Sequence, residues 1–273
     1  MRHGSLFSGI GGFDLAAKWV GWENVFQVEI DSFCRQVLAH QFPGTVQFKD
    51  VTQFNTTQYD GTIDVISAGF PCQPFSLAGK RRGSSDDRYL WPHMLRIINQ
   101  IRPTWVVGEN VAGITSLVHT ESPTGMADQR ALWMEDQIHY HRQQFIVDTI
   151  CQDFERVGYS VVPLIIPACA VGAWHRRDRV WFLAYANGGR CSGNKYPLGS
   201  AEANLLAQLH PWFSLSHISE VEGLLLSQPG LIRLFDGVPL SLVRQQIKAF
   251  GNAIVPQVAY QIFRCIQQIN FQL

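Results

Sequence analysis

An α/β protein with an open sheet and flanking helices follows from three features of this 273-residue chain. Short apolar runs alternate with stretches of helical period. The first such unit opens on a glycine-rich turn, Gly9-Ile10-Gly11-Gly12. Acids and a cysteine stand where the apolar runs end, the edge at which open α/β sheets hold their ligands. The length accommodates one large domain and a small lobe.

Ser5 to Ser8 reads as the first strand, the glycines as a tight turn, and Phe13 to Trp19 as a helix. Glycine lets backbone approach a ligand and leaves amide donors at the helix start. The full G-x-G-x-x-G pattern is absent, because Asp14 occupies the last glycine position. A second strand, Asn24 to Glu29, ends in an acid of the kind that holds ribose hydroxyls in nucleotide sites. Asp31 caps a helix from Ser32 to Phe42, which stops before Pro43. A third strand, Val46 to Phe48, leads to Lys49-Asp50-Val51, where Asp50 reads equally as a turn acid or a ligand acceptor.

The apolar run Ile63 to Ser67 delivers Ala68-Gly69-Phe70-Pro71-Cys72-Gln73-Pro74-Phe75-Ser76. Two prolines stiffen the bend around Cys72 and aim its thiol away from the strand. A loop with Lys80, Arg81, Arg82 and Arg88 follows, suited to phosphate contacts. Leu90 to Ile101 fits an amphipathic helix closed by Arg102-Pro103. Thr104 to Gly108 is a further buried strand with Glu109-Asn110-Val111 at its end. Adjacent strands thereby bring a thiol and a carboxylate to one sheet edge.

Asp128 to Arg156 reads as one long or interrupted helix. His139 and His141 on it lack the i, i+4 spacing of a helical metal pair. Strands are expected over Tyr159 to Ile166 and Val180 to Tyr185. Arg177 and Arg179 alternate just before the second, which places both on one side. From Ala186 the composition shifts toward Gly, Ser, Asn and Pro, marking residues 186–232 as a second lobe between the main domain, 1–185, and a C-terminal return, 233–273. The return carries Gly251-Asn252-Ala253 and a helix from Gln257 to Ile269 that packs on the sheet and brings Asn252 to the N-terminal pocket.

Composition narrows the function. Basic and acidic residues balance at 22 each, so a polyanion must be met by local clusters such as the loop after Cys72. Six scattered cysteines with no C-x-x-C argue against a zinc site or a disulfide framework, and no metal is expected. No apolar segment reaches membrane-spanning length and the start shows no signal-peptide pattern. The expectation is a soluble, unprocessed, cytoplasmic protein with no membrane association.

Taken together, Phe7-x-Gly9-x-Gly11-Gly12, Glu29, Asp50, Pro71-Cys72-Gln73, Glu109-Asn110-Val111, Arg177-x-Arg179, Arg233 to Pro239 and Gly251-Asn252 resemble the motif series of the DNA (cytosine-5)-methyltransferase family. The resemblance implies a Rossmann-like methyltransferase fold, a mixed sheet flanked by helices that binds S-adenosyl-L-methionine, with a small, reduced target-recognition lobe and duplex DNA in the cleft. It assigns Phe7, Gly9, Gly11, Gly12, Glu29, Asp50, Val51, Pro71, Trp91, Asn252 and Ala253 to the cofactor, with Glu29 on the ribose and Asp50 on the adenine. Cys72 would be the nucleophile, supported by Glu109, Arg177 and Arg179. Gln73, Ser76, Lys80, Arg81, Arg82 and Arg88 would contact DNA.

The implied chemistry suits these residue types. Cytosine C5 is a poor nucleophile until a thiolate adds at C6, and a carboxyl at N3 stabilises the charge that develops. The base must leave the duplex to reach such a pocket. A monomer is expected, and whether a cognate restriction endonuclease is a partner is left open by the sequence. The sequence departs from the family in three places: His175 opens the Arg-x-Arg motif in place of Gln, Ile30 replaces an aromatic after the ribose acid, and the lobe is short. A tRNA cytosine methyltransferase and a catalytically lapsed binding module are the competing readings. The first lacks its Cys-Phe-Thr signature here, while the second would have lost the thiol or the acid, and both are present.

Overall fold

The computed structural model describes residues 1–71, 90–116, 118–119, 144–187 and 248–272. Seven strands form one sheet: β1 (Arg2–Leu6), β2 (Glu23–Val28), β3 (Val46–Phe48), β4 (Val65–Gly69), β5 (Trp105–Val111), β8 (Tyr159–Pro167) and β9 (Asp178–Ala186). Their order is β3-β2-β1-β4-β5-β9-β8. The first five run parallel, whereas β9 lies antiparallel to both β5 and β8. Strand order reverses between β1 and β4, so the crevice that binds ligands in such sheets opens beyond Leu6 and Gly69. A two-residue pair, β6 (Val118–His119) with β7 (Gln144–Phe145), stands apart.

Helices cover both faces. Helices α1 (Gly12–Trp19) and α5 (Pro256–Gln272) pack together on one face, where Phe13, Trp105, Trp181 and Phe263 fill the layer. Helices α3 (Trp91–Ile101) and α4 (Ile146–Arg156) serve the other, over Phe26, Ile66, Val106 and Phe182. Helix α2 (Ser32–Gln41) begins as expected, with Asp31 Oδ1 accepting from the amides of Phe33 and Cys34. Burial of these apolar rows is the main force that holds the layers.

A polar cluster is buried beneath the glycine turn. His3 Nδ1 is 2.7 Å from Asn24 Oδ1 and its Nε2 is 2.7 Å from Ser67 Oγ. An amide oxygen only accepts, so Nδ1 carries the proton and Nε2 accepts from Ser67. Burial lowers the His3 pKa to about 4, which keeps the ring neutral. Asp14 Oδ1 accepts from Gln27 Nε2 at 2.9 Å, and burial raises the Asp14 pKa to about 6.

Several boundaries differ from expectation. β1 starts and stops earlier because Phe7 takes a left-handed φ of 52°, which ends the strand. β4 runs to Gly69, and β5 runs through Val111 because pairing with β9 carries Gly108-Glu109-Asn110 into the ladder. Of the one long or interrupted helix expected over Asp128 to Arg156, the described part is α4, which starts at Ile146 directly after β7. Residues 128–143, with His139 and His141, lie outside the described residues, as does the expected lobe apart from 186–187. Among the described residues no helix is long and apolar enough to cross a membrane, and no cluster of His, Cys, Asp and Glu could hold a metal.

Candidate active site

The exit of β1 is a run of left-handed residues: Phe7 at φ 52°, Gly9 at 55° and Gly11 at 87°. Glycine adopts this region freely, but phenylalanine does so at a cost, a kind of strain that persists where the surroundings enforce it. The turn is tied down by Ser8 N–H donating to Val28 O and Gly11 N–H to Ser8 O. A Cβ on Gly9 would meet nothing within 4 Å, whereas one on Gly11 would lie 2.6 Å from the Phe42 ring. Gly9 therefore borders open space, and Gly11 lets α2 close on the turn. Helix α1 starts at Gly12 without a side-chain cap, so its first amides face the turn unsupported by any side chain.

Glu29 stands at the end of β2 and is fixed by backbone donors. Gly9 N–H donates to its Oε2 at 2.7 Å and Asp31 N–H to its Oε1 at 2.8 Å. Each carboxylate oxygen retains a second lone pair for a ligand hydroxyl. Beside it Ile30 is 68% exposed, an apolar surface at the rim. Asp50 turns back on its own chain, with Oδ1 accepting from Thr52 N–H and Thr52 Oγ1, and these bonds lower its pKa. Val51 and Trp91 are buried in the core layer below, the Trp91 indole N–H donating to Asp153 Oδ2.

The described part of the C-terminal return, from Lys248, lies against the same region. Residues 248–252 are helical, Lys248 pairs with Asp31 Oδ2 at 3.1 Å, and Ile254 sits against the glycine turn. A Cβ on Gly12 would lie 2.6 Å from Ile254 Cγ1. Asn252 itself is exposed and Ala253 half-buried.

Glu109 is in register with Gly69 on β4 and with Trp181 on β9. It is buried, and its Oε1 is 2.9 Å from Arg179 Nε. Burial raises the Glu109 pKa to about 7, against the opposing pull of Arg179 and Arg177. Next to it, buried Asn110 donates from Nδ2 to Phe70 O at 3.1 Å and accepts at Oδ1 from Val111 N–H. Asn110 thus pins the strand exit that leads to Pro71, a bond the sequence offered only through the Glu109-Asn110-Val111 triplet.

One position measures how these parts converge. A Cβ added to Gly69 would lie 3.9 Å from Phe7 O, 3.9 Å from Glu109 Oε2 and 3.8 Å from Ile254 Cγ2. The glycine turn, the acid and the C-terminal return therefore meet around a residue that has no side chain, three positions before Cys72. Cys72, Gln73, Ser76, Lys80, Arg81, Arg82 and Arg88 lie outside the described residues.

Arg177 and Arg179 do not share one side. Arg177 takes a φ of 36°, which breaks the strand alternation ahead of β9. Its Nη2 donates to the carbonyls of Gly251 and Ala253, while Arg179 turns to Glu109.

The chain matches the family described as C-5 cytosine-specific DNA methylase over residues 1–129 and 130–217. It belongs to that family. Among curated relatives, the Type II methyltransferase M.DdeI of Desulfomicrobium norvegicum is 30% identical over 182 residues, covering 65% of this chain and 39% of its own. M.HgiCII of Herpetosiphon aurantiacus is 26% identical, covering 97% of this chain and 52% of its own. M.HhaI of Haemophilus parahaemolyticus is 28% identical, covering 68% and 50%. The chain thus spans about half or less of the length of these relatives. In structure, DNMT2 of Spodoptera frugiperda is similar with a TM-score of 0.52 at 21% identity, covering 71% of this chain and 53% of that one. At such identity the likeness speaks for the fold alone, a methyltransferase-type mixed sheet flanked by helices.

Proposed function

We propose that this chain is a DNA (cytosine-5)-methyltransferase that uses S-adenosyl-L-methionine on duplex DNA. The observation that carries the reading is the convergence at Gly69 of the glycine turn, Glu109 and Ile254. The family's description as cytosine-specific DNA methylase supports DNA as the substrate.

The residues around β1 and β2 fit a nucleoside cofactor. Open space above Gly9, a ribose acid held by two amides, and the exposed face of Ile30 supply backbone clearance, hydroxyl acceptors and an apolar surface for a purine. Phe7, Gly11 and Gly12 form the turn, Asp50 and Val51 follow β3, and Pro71, Asn252 and Ala253 complete the wall, with Trp91 beneath it. When bound, S-adenosylmethionine supplies an electrophilic methyl group.

The chain's own residues then act on the base. The Cys72 thiolate adds to cytosine C6, forming an S–C bond and raising electron density at C5. Glu109, whose pKa burial raises to about 7, donates to ring N3 as charge builds there. Arg179, held by Glu109, offers its remaining N–H groups to O2. Once C5 has taken the methyl group it gives up its proton to solvent water, and the electron pair of that C–H bond restores the C5–C6 double bond as the S–C bond breaks by β-elimination and frees the Cys72 thiolate. Access requires an extruded base. Gln73, Ser76 and the basic loop from Lys80 to Arg88 would hold the strand, and residues 186–232 would read the sequence. A monomeric, cytoplasmic enzyme beside a cognate restriction endonuclease completes the proposal.

The test is transfer of labelled methyl from S-adenosylmethionine to unmethylated duplex DNA, followed by base-resolution mapping. 5-Methylcytosine in a short recurring motif is the expected result. Label appearing only in RNA, or on another atom of the base, would overturn it.

A further inference from the structure

We propose that Arg177 is a positioning residue that fastens the C-terminal wall of the cofactor pocket to the strand bearing Arg179. This rests on the methyltransferase reading for its functional consequence, although the clamp itself is a matter of structure. The guanidinium Nη2 donates 2.8 Å to Gly251 O and also to Ala253 O, the two carbonyls that flank Asn252. One charged donor shared between them holds the Gly251-Asn252-Ala253 bend in a single shape. The peptide that precedes Ile254 is thereby fixed just where Ile254 packs on Gly12 of the cofactor turn.

The backbone explains why two neighbouring arginines do different work. At φ 36° Arg177 leaves the extended region, so its side chain runs to the return, and the strand geometry that sends Arg179 to Glu109 begins only at Asp178. A left-handed conformation at a non-glycine residue is retained where its side chain is needed. Arg177 thus joins elements far apart in sequence, and its loss frees the wall while the Glu109–Arg179 contact keeps both its partners, with one of the two charges that lower the Glu109 pKa removed.

The experiment compares the full chain with Arg177→Ala, Arg177→Lys and Arg179→Ala. Cofactor affinity is read by calorimetry without DNA, amide exchange is followed over residues 249–255, and KM for cofactor is compared with kcat. Arg177→Ala should weaken cofactor binding at least tenfold, speed exchange over 249–255 at least tenfold, and raise KM more than it lowers kcat. Arg177→Lys, whose ammonium can still donate to both carbonyls, should recover most of each loss. Arg179→Ala should lower kcat and leave exchange over 249–255 within about threefold of wild type. Unchanged exchange in Arg177→Ala, or a loss confined to kcat, would overturn the proposal. If the wild-type chain bound no cofactor, the methyltransferase reading would fail while the exchange data still decided the clamp.

Discussion

Arg179 reaches across from β9 to Glu109 on β5, Nε to Oε1 at 2.9 Å, in a pair that is largely shielded from water. Burial favours the neutral acid and Arg179 favours the carboxylate, leaving the Glu109 pKa at about 7. The pair therefore holds an acid that can donate a proton to a ring nitrogen near neutral pH.

The pH profile should show this. If protonated Glu109 is the active form, the single-turnover rate falls as pH rises through about 7. Arg179→Gln removes a charge that lowers the Glu109 pKa, so the midpoint should move upward while the rate drops. Glu109→Gln should slow methyl transfer by about 10²- to 10⁴-fold and flatten this limb. A limb that persists in Glu109→Gln would assign it to another group.

The buried polar cluster gives two opposed stability slopes. Asp14 has its folded pKa raised from 3.8 to about 6, so the native state binds the extra proton and loses stability as pH rises through that window. His3 has its folded pKa lowered from 6.5 to about 4, so its contribution is full above 6.5 and is lost as pH falls toward 4. Chemical denaturation against pH should find Asp14→Asn stabilising above pH 6, by about 1–3 kcal/mol, with the effect fading at lower pH. His3→Gln should remove the rising limb between pH 4 and 6.5. Parallel pH curves for wild type and both variants would contradict this.

Three glycine substitutions separate backbone strain from lost space. At Gly21, φ is +76° and a Cβ would meet nothing, so Gly21→Ala should cost only the left-handed penalty, about 1–2 kcal/mol. Gly11→Ala adds overlap with Phe42 and Leu38, and should cost about 1–3 kcal/mol more. Gly12→Ala has no backbone strain but drives a methyl to 2.6 Å from Ile254 Cγ1, so it should displace the return and weaken cofactor binding. Urea denaturation of the three variants checks the order, Gly11 worse than Gly21, and calorimetry checks the third.

Much of this arrangement was legible in the residues because local signals agreed with tertiary context. Asp31 capped α2 as its position suggested, and the apolar runs before Glu29, Cys72 and Glu109 became parallel strands of one sheet, the last two of them adjacent. The signal failed where pairing overrode propensity. Gly108-Glu109-Asn110 reads as a strand end, yet β9 carries it into the ladder. The β6–β7 pair is two residues long and non-local, so no periodicity announces it. The separate destinations of Arg177 and Arg179 depend on one left-handed residue, which alternation alone does not encode. The polar cluster of His3, Asp14 and Gln27 was equally invisible, because it joins two strands and a helix and no local pattern says which buried polar groups pair across them.

The most direct test of the account is covalent capture. Duplex DNA carrying 5-fluorocytosine cannot lose a proton from C5, so an adduct at C6 persists once C5 has been methylated. With S-adenosylmethionine present, the wild-type chain should form a denaturation-resistant DNA complex whose cross-linked peptide contains Cys72, and Cys72→Ser should form none. Methyl transfer without any trapped complex, or a complex of equal yield in Cys72→Ser, would contradict the mechanism.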